Sequence, residues 1–123
     1  GSKHFSRLAA NTRLRSAFVD QTAKVVTDHS LTGVDIDWEF PGTEGDKGNV
    51  ADAAHDSDNI LKLLTQLGDR LPSPYLITAA TLVTVFAKNG RSMGDVSGFA
   101  SLLDHVYPMF YDIYPRLGGP HWP

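Results

Sequence analysis

Apolar positions recur along the chain in two rhythms. Between Arg13 and His29, in "RLRSAFVDQTAKVVTDH", Leu14, Ala17, Phe18, Val25 and Val26 fall at helical spacing. They predict an amphipathic helix with an apolar stripe, opened by Asn11 or Thr12 as N-cap. "GVDIDWEF", from Gly33, switches to strict alternation and predicts a strand over 34–39. Helical spacing returns after Ser57 or Asp58. Ile60, Leu61, Leu63, Leu64, Leu67 and Leu71 make one apolar face, and Pro72 and Pro74 close the helix. "YLITAATLVT" is apolar on both faces and predicts a strand over roughly 75–81. "DVSGFASLLD" predicts a short helix. "HVYPMFYDIY" predicts a third strand over roughly 105–111.

The predicted order is α-β-α-β-α-β. Strands separated by helices imply a parallel sheet with right-handed crossovers. Between the first strand and the second helix, "PGTEGDKGNVADAAHD" is rich in Gly, Ala and Asp and reads as a long loop. Long loops in compact domains are often functional.

Composition narrows the partners. The 123 residues carry 14 acidic and 11 basic side chains, a formal net charge of −3. This balance argues against nucleic acid and against an anionic membrane surface. There is no cysteine, hence no disulfide framework and no thiolate metal site. No run is apolar enough to cross a bilayer. The opening "GSKHFSRLAA" lacks the long apolar stretch of a signal peptide. It reads as a cloning scar, a processed end or the interior of a longer chain.

The candidate chemistry lies in the first strand. Asp35, Asp37 and Glu39 occupy every second position, so a strand points all three to one face, roughly 6.6 Å apart at each step. Val34, Ile36 and Trp38 point to the other face, under the helices. A solvated amphipathic strand would show the same alternation. Parallel strands flanked by crossover helices are usually covered, however, and three acids in a row on one face are uncommon there. Where such a cluster is partly buried, mutual repulsion keeps a proton on at least one carboxyl group, as a general acid requires. Asp-x-Asp-x-Glu could also hold Mg²⁺ or Mn²⁺ through oxygen, but no histidine or second acidic cluster completes such a site.

"LTGVDIDWEFPG" resembles the signature of glycoside hydrolase family 18, the chitinase and endo-β-N-acetylglucosaminidase family, whose fourth barrel strand carries D-x-x-D-x-D-x-E. The last three acids, the spacer tryptophan and the following proline are present. "MFYD" is similar to the M-x-Y-D of the family's sixth strand and supplies Met109, Tyr111 and Asp112. "LITAA" matches the fifth strand, and "GSKHFS" the segment after the third. The resemblance covers essentially all of residues 1–123. It implies an α/β fold, a portion of a (β/α)8 TIM barrel with about three parallel strands and their helices, and one segment of a catalytic barrel. A full barrel needs about 250 residues.

The resemblance also implies roles. Glu39 is the general acid that protonates the leaving glycosidic oxygen. Asp37 orients the substrate's N-acetyl group and stabilises an oxazolinium ion, and Asp35 holds a proton or hydrogen bond against Asp37. Tyr111 bonds the acetamido oxygen. Met109 and Asp112 line the sugar site, and Trp38 joins them among the substrate-binding residues. The acetamido oxygen is the nucleophile, so no second carboxylate about 5 Å away is needed, and configuration is retained. No metal and no cofactor are implied. The partners are chitin or N-acetylglucosamine oligosaccharides, and the location is extracellular. A non-catalytic chito-oligosaccharide binder is the alternative. Three positions depart from the family: Thr32 stands where the first aspartate is expected, Phe40 where tyrosine is common, and Pro108 falls inside the third strand. Strands four to six alone would leave two open sheet edges and a bare aromatic face, a route to self-association.

Overall fold

The computed structural model describes residues 2–45 and 47–111. Among these residues nine elements follow one another: α1 (Phe5–Ala10), α2 (Thr12–Asp28), β1 (Gly33–Ile36), α3 (Asp56–Arg70), β2 (Leu76–Thr81), β3 (Ala87–Lys88), β4 (Arg91–Ser92), α4 (Ser97–Ala100) and β5 (His105–Pro108). β1, β2 and β5 form a parallel sheet in the order of the chain. Gly33 to Ile36 pair with Leu76 to Ala79, and Thr78 to Thr81 pair with His105 to Pro108. This is the expected portion of a (β/α)8 barrel.

The core lies between the sheet and the helices on one of its faces. Ile36, Trp38, Ile77 and Ala79 meet Ile60, Leu63, Leu64, Leu67 and Leu71 there, each at most 3% exposed. The predicted leucine face of α3 is therefore the buried one, with Leu61 only half-covered. Central β2 is covered along Ile77–Ala79 and at Thr81, as a strand apolar on both faces requires.

Several expectations need correction. α2 begins where predicted, and the Asn11 side chain accepts from the Leu14 N–H at 3.0 Å. Its buried stripe is Arg15, Val19, Ala23 and Val26, however, while Leu14 is 41% and Val25 51% exposed. The cause is α1, a helix too short to leave a period in the sequence. It packs against α2 and α3, and the Arg15 guanidinium turns inward to donate to the Ala9 carbonyl at its end. α3 starts at Asp56, one to two residues before the predicted caps. Ser57 instead bonds the Ala87 carbonyl, and Asp58 pairs with Lys88 at 2.7 Å.

The β3–β4 hairpin was also unexpected. Its turn is Asn89–Gly90, with both residues at positive φ, 53° and 72°. That is the backbone of a type I′ turn, which Asn-Gly favours. The three main strands are shorter than the alternation suggests. β1 leaves the ladder after Ile36 and β2 after Thr81. Pro108 ends β5 on the sheet edge, where a residue with no N–H is tolerated.

Candidate active site

The strand period carries through to the site. Ile36 and Trp38 are buried under the helices, whereas Asp35 and Asp37 are exposed and Glu39 is half-buried. Asp35 and Asp37 thus lie opposite the core, on the sheet face that no helix covers among the described residues, and the same alternation assigns Glu39 to that side. The Thr78 hydroxyl, level with Asp35 on β2, donates to an Asp35 carboxyl oxygen at 2.5 Å. Asp35 and Asp37 are not buried, and among the described residues no helix lies over this face.

Register carries the face across the sheet. Thr78 is level with His105, and Ala80 with Tyr107. Alternation then places Met109 on the acid side, half-buried, with its N–H bonded to the Thr81 carbonyl at 2.8 Å. Two strand spacings, roughly 10 Å, separate β1 from β5. Tyr111 is 67% exposed, just beyond the strand. Asp112 lies outside the described residues.

Trp38 must be reassigned. It was named with the sugar-binding residues, but it is 2% exposed and stacks on Phe5, with ring centroids 5.5 Å apart and planes 17° from parallel. The even position that separates it from the acids also turns it into the core. Tyr107, 54% exposed at the level of Ala80, was missed and faces the acid side. Its place in the alternation of "YPMFY" was the signal.

Glu39 follows the end of the β1 ladder, and its surroundings come from far along the chain. Its N–H donates to Ser2 Oγ at 2.8 Å, and Asn49 Nδ2 donates to its carbonyl at 3.0 Å. The peptide to Phe40 is cis. Asp56, fully buried, organises the loop that follows. Its carboxyl oxygens accept from Ser6 Oγ at 2.7 Å, Gly42 N–H at 3.2 Å and Asp52 N–H at 2.7 Å. In the sequence Asp56 falls at the end of the stretch read as a long loop.

Beside the site, the His55 imidazole, 2.9 Å from the Asp52 carboxyl group, holds that carboxyl below its usual range, helped by the Ala54 and His55 N–H groups. Asp95 is likewise lowered by the Ser97 N–H. A cavity of about 350 Å³, lined in part by Phe86, Val96, Phe99, Leu103 and Val106, opens at β5. Val106 and Phe99 belong to the helix side, so it is separate from the acids. Among the described residues no group of three or more acids or histidines is arranged to hold a metal ion, and no helix is long and apolar enough to cross a membrane.

Known proteins resemble this arrangement. A chitinase-like effector of Moniliophthora perniciosa is 36% identical over 93% of this chain, which corresponds to 26% of the effector. Chitinase 2 of Yersinia entomophaga is 30% identical over 92% of the chain and 18% of its own length. A crystal structure of a chitinase from Rhizomucor miehei superimposes with a TM-score of 0.85 at 32% identity, over 92% of this chain and 36% of that one. The chain therefore spans about a third or less of these relatives. The family model for glycosyl hydrolases family 18 matches residues 1–121. With Asp35 on β1 and Asp37 just past it exposed opposite the buried Ile36 and Trp38, and this match over almost every residue, the chain belongs to glycosyl hydrolases family 18.

Proposed function

We propose that this segment supplies the proton donor and part of the sugar site of a chitinase-type hydrolase, which cleaves β-1,4-linked N-acetylglucosamine polymers outside the cell. The observation that supports the reading is that Asp35 and Asp37 are exposed and Glu39 half-buried while Ile36 and Trp38, between them, fill the core. Glu39 gives its proton to the leaving glycosidic oxygen. The substrate's acetamido oxygen attacks the anomeric carbon, and the C–O bond to the leaving sugar breaks. Asp37 orients the acetamido group and balances the positive charge of the oxazolinium ion. Asp35, bonded to Thr78, steadies Asp37. Water then opens the ion, returning its proton to Glu39, with net retention. Tyr111 bonds the acetamido oxygen, and Met109 and Asp112 line the sugar.

The test uses a complete family barrel carrying this segment. It should cleave a chito-oligosaccharide and release the β-anomer first, as proton NMR reads directly. The N-deacetylated oligomer should resist, because it has no internal nucleophile. Equal cleavage of both oligomers would exclude the substrate-assisted route.

A non-catalytic chito-oligosaccharide binder is the second reading. It is favoured by the relatives named chitinase-like effectors and by the short span of the chain. Binding by titration calorimetry with no sugar released, in that same complete barrel, would decide for it. For the 123 residues alone the proposed activity is weak or absent, because much of the surface that would hold the sugar belongs to other strands.

A further inference from the structure

Pairing between β1 and β2 stops at Ile36 and Ala79. Asp37, Trp38 and Glu39 continue past the last paired residue, so the neighbouring strand does not fix their backbone. Side chains from two distant segments do so instead. Ser2, 5% exposed, sets one hydroxyl between two backbone groups. It accepts from the Glu39 N–H at 2.8 Å and donates to the Asp37 carbonyl at 3.2 Å. Asn49 reaches Glu39 from the following loop and donates to its carbonyl at 3.0 Å. Gly45 packs so tightly there that a Cβ would sit 2.3 Å from the Glu39 carbonyl oxygen, leaving room for glycine only.

The loop is itself held. Asp56 takes Gly42 N–H and Asp52 N–H on a single carboxyl oxygen, so the segment that carries Gly45 and Asn49 is anchored near both ends to α3. A part-buried backbone group needs some partner, and any partner would meet that need. Here the donor and the acceptor of one residue are bound by side chains 37 and 10 residues away. That residue is the one whose carboxyl group must meet a glycosidic oxygen. Precise placement of a reacting group depends on this kind of surrounding support.

We infer that Ser2 and Asn49 are positioning residues for Glu39, fixing its backbone so that its carboxyl group is aimed at the leaving oxygen. The inference rests on Glu39 being the proton donor, as proposed above. Neither residue touches sugar or any reacting atom; each acts through Glu39. A displacement of about 1 Å at a reacting group can cost on the order of 10²-fold in rate.

The experiment introduces Ser2→Ala and Asn49→Ala into a complete family 18 barrel carrying this segment, each alone and on top of Glu39→Gln. Two substrates are compared: a chito-oligosaccharide, whose sugar leaving group needs the proton, and a nitrophenyl chito-oligosaccharide, whose leaving group departs as an anion. Each single variant should lower kcat on the natural oligomer by about 10- to 100-fold with KM within about twofold. The loss should be smaller on the nitrophenyl glycoside and should vanish in the Glu39→Gln background, since the positioned group is gone. Equal loss on both substrates, loss that persists beside Glu39→Gln, or no loss in either variant overturns the inference. Full activity of Glu39→Gln itself overturns the proton-donor reading and the inference with it. A dead Glu39→Gln beside unimpaired Ser2→Ala and Asn49→Ala removes the inference alone. Amide hydrogen exchange on the 123-residue chain reads the contact without turnover. Ser2→Ala should speed exchange at Glu39 and leave Ile36 unchanged, whereas a Glu39 amide that already exchanges freely in the unsubstituted chain contradicts the contact.

Discussion

Trp38 lies flat on Phe5, with ring centroids 5.5 Å apart and planes inclined by 17°. Phe5 in turn meets Phe18 edge-on at 5.7 Å. This stack joins α1 and α2 to the residue between the two last acids of the signature. Trp38→Ala should cost about 3–5 kcal/mol in chemical denaturation, the usual range for emptying a buried aromatic site. A loss below about 1 kcal/mol would mean that Trp38 is not the core residue described.

Asp56 holds three donors from three segments: Ser6, Gly42 and Asp52. Asp56→Ala orphans all three, two of them in buried hydrogen bonds, and a hydrogen bond to a charged group is worth about 1.5–3 kcal/mol. The losses will not simply add. The variant should lose about 3 kcal/mol or more, and limited proteolysis should cut the 41–55 loop faster than in the parent. Unchanged stability and unchanged cleavage there would contradict this account of the loop.

The Asp52 carboxyl group is lowered chiefly by its hydrogen bond to the His55 ring. A depressed folded-state value stabilises the fold above the ordinary Asp value, about 3.9, and the contribution disappears as pH falls through the folded value. The pair is solvent-exposed, so the gain is small and weakens with salt. Carbon-detected NMR should place the Asp52 midpoint below the ordinary value and show it rising in His55→Ala. A midpoint that ignores His55→Ala would rule out the imidazole as the main cause.

Among the described residues, β1 and β5 are the two edges of the three-stranded sheet. Val106, Tyr107, Phe110 and Tyr111, at or just past β5, are 38–71% exposed. Unpaired edge groups beside apolar surface favour association. Light scattering of the 123-residue chain should show growing mass with concentration, reduced by Val106→Lys, which puts a charge on the edge. A chain that stays monomeric, with or without Val106→Lys, would show that this surface does not associate.

Local rhythm accounts for what the sequence made readable. Alternation from Val34 to Trp38 assigned both faces of β1, and leucine spacing assigned the buried face of α3. The acids and the MFYD motif by themselves point to the family. What escaped depends on distant partners. Arg15 is buried because it reaches the Ala9 carbonyl in the last turn of α1, and that rotates the buried stripe of α2 away from Leu14 and Val25. Ser2 and Glu39 are 37 residues apart, and Ser6 and Asp56 are 50 apart. No local pattern announces such pairs. The Asn89–Gly90 hairpin is different: its turn signal was present in the sequence, but the flanking strands of two residues each were too short to alternate.

The central claim is that Glu39 is the proton donor. The most direct measurement is the release of sugar from a chito-oligosaccharide by a complete barrel carrying this segment, beside its Glu39→Gln variant, with oligosaccharide binding followed by calorimetry. Removing a general acid while keeping its shape should lower kcat by about 10²–10⁴-fold and leave the binding constant within a few-fold. A Glu39→Gln barrel that keeps most of its turnover on the natural oligomer would contradict the account.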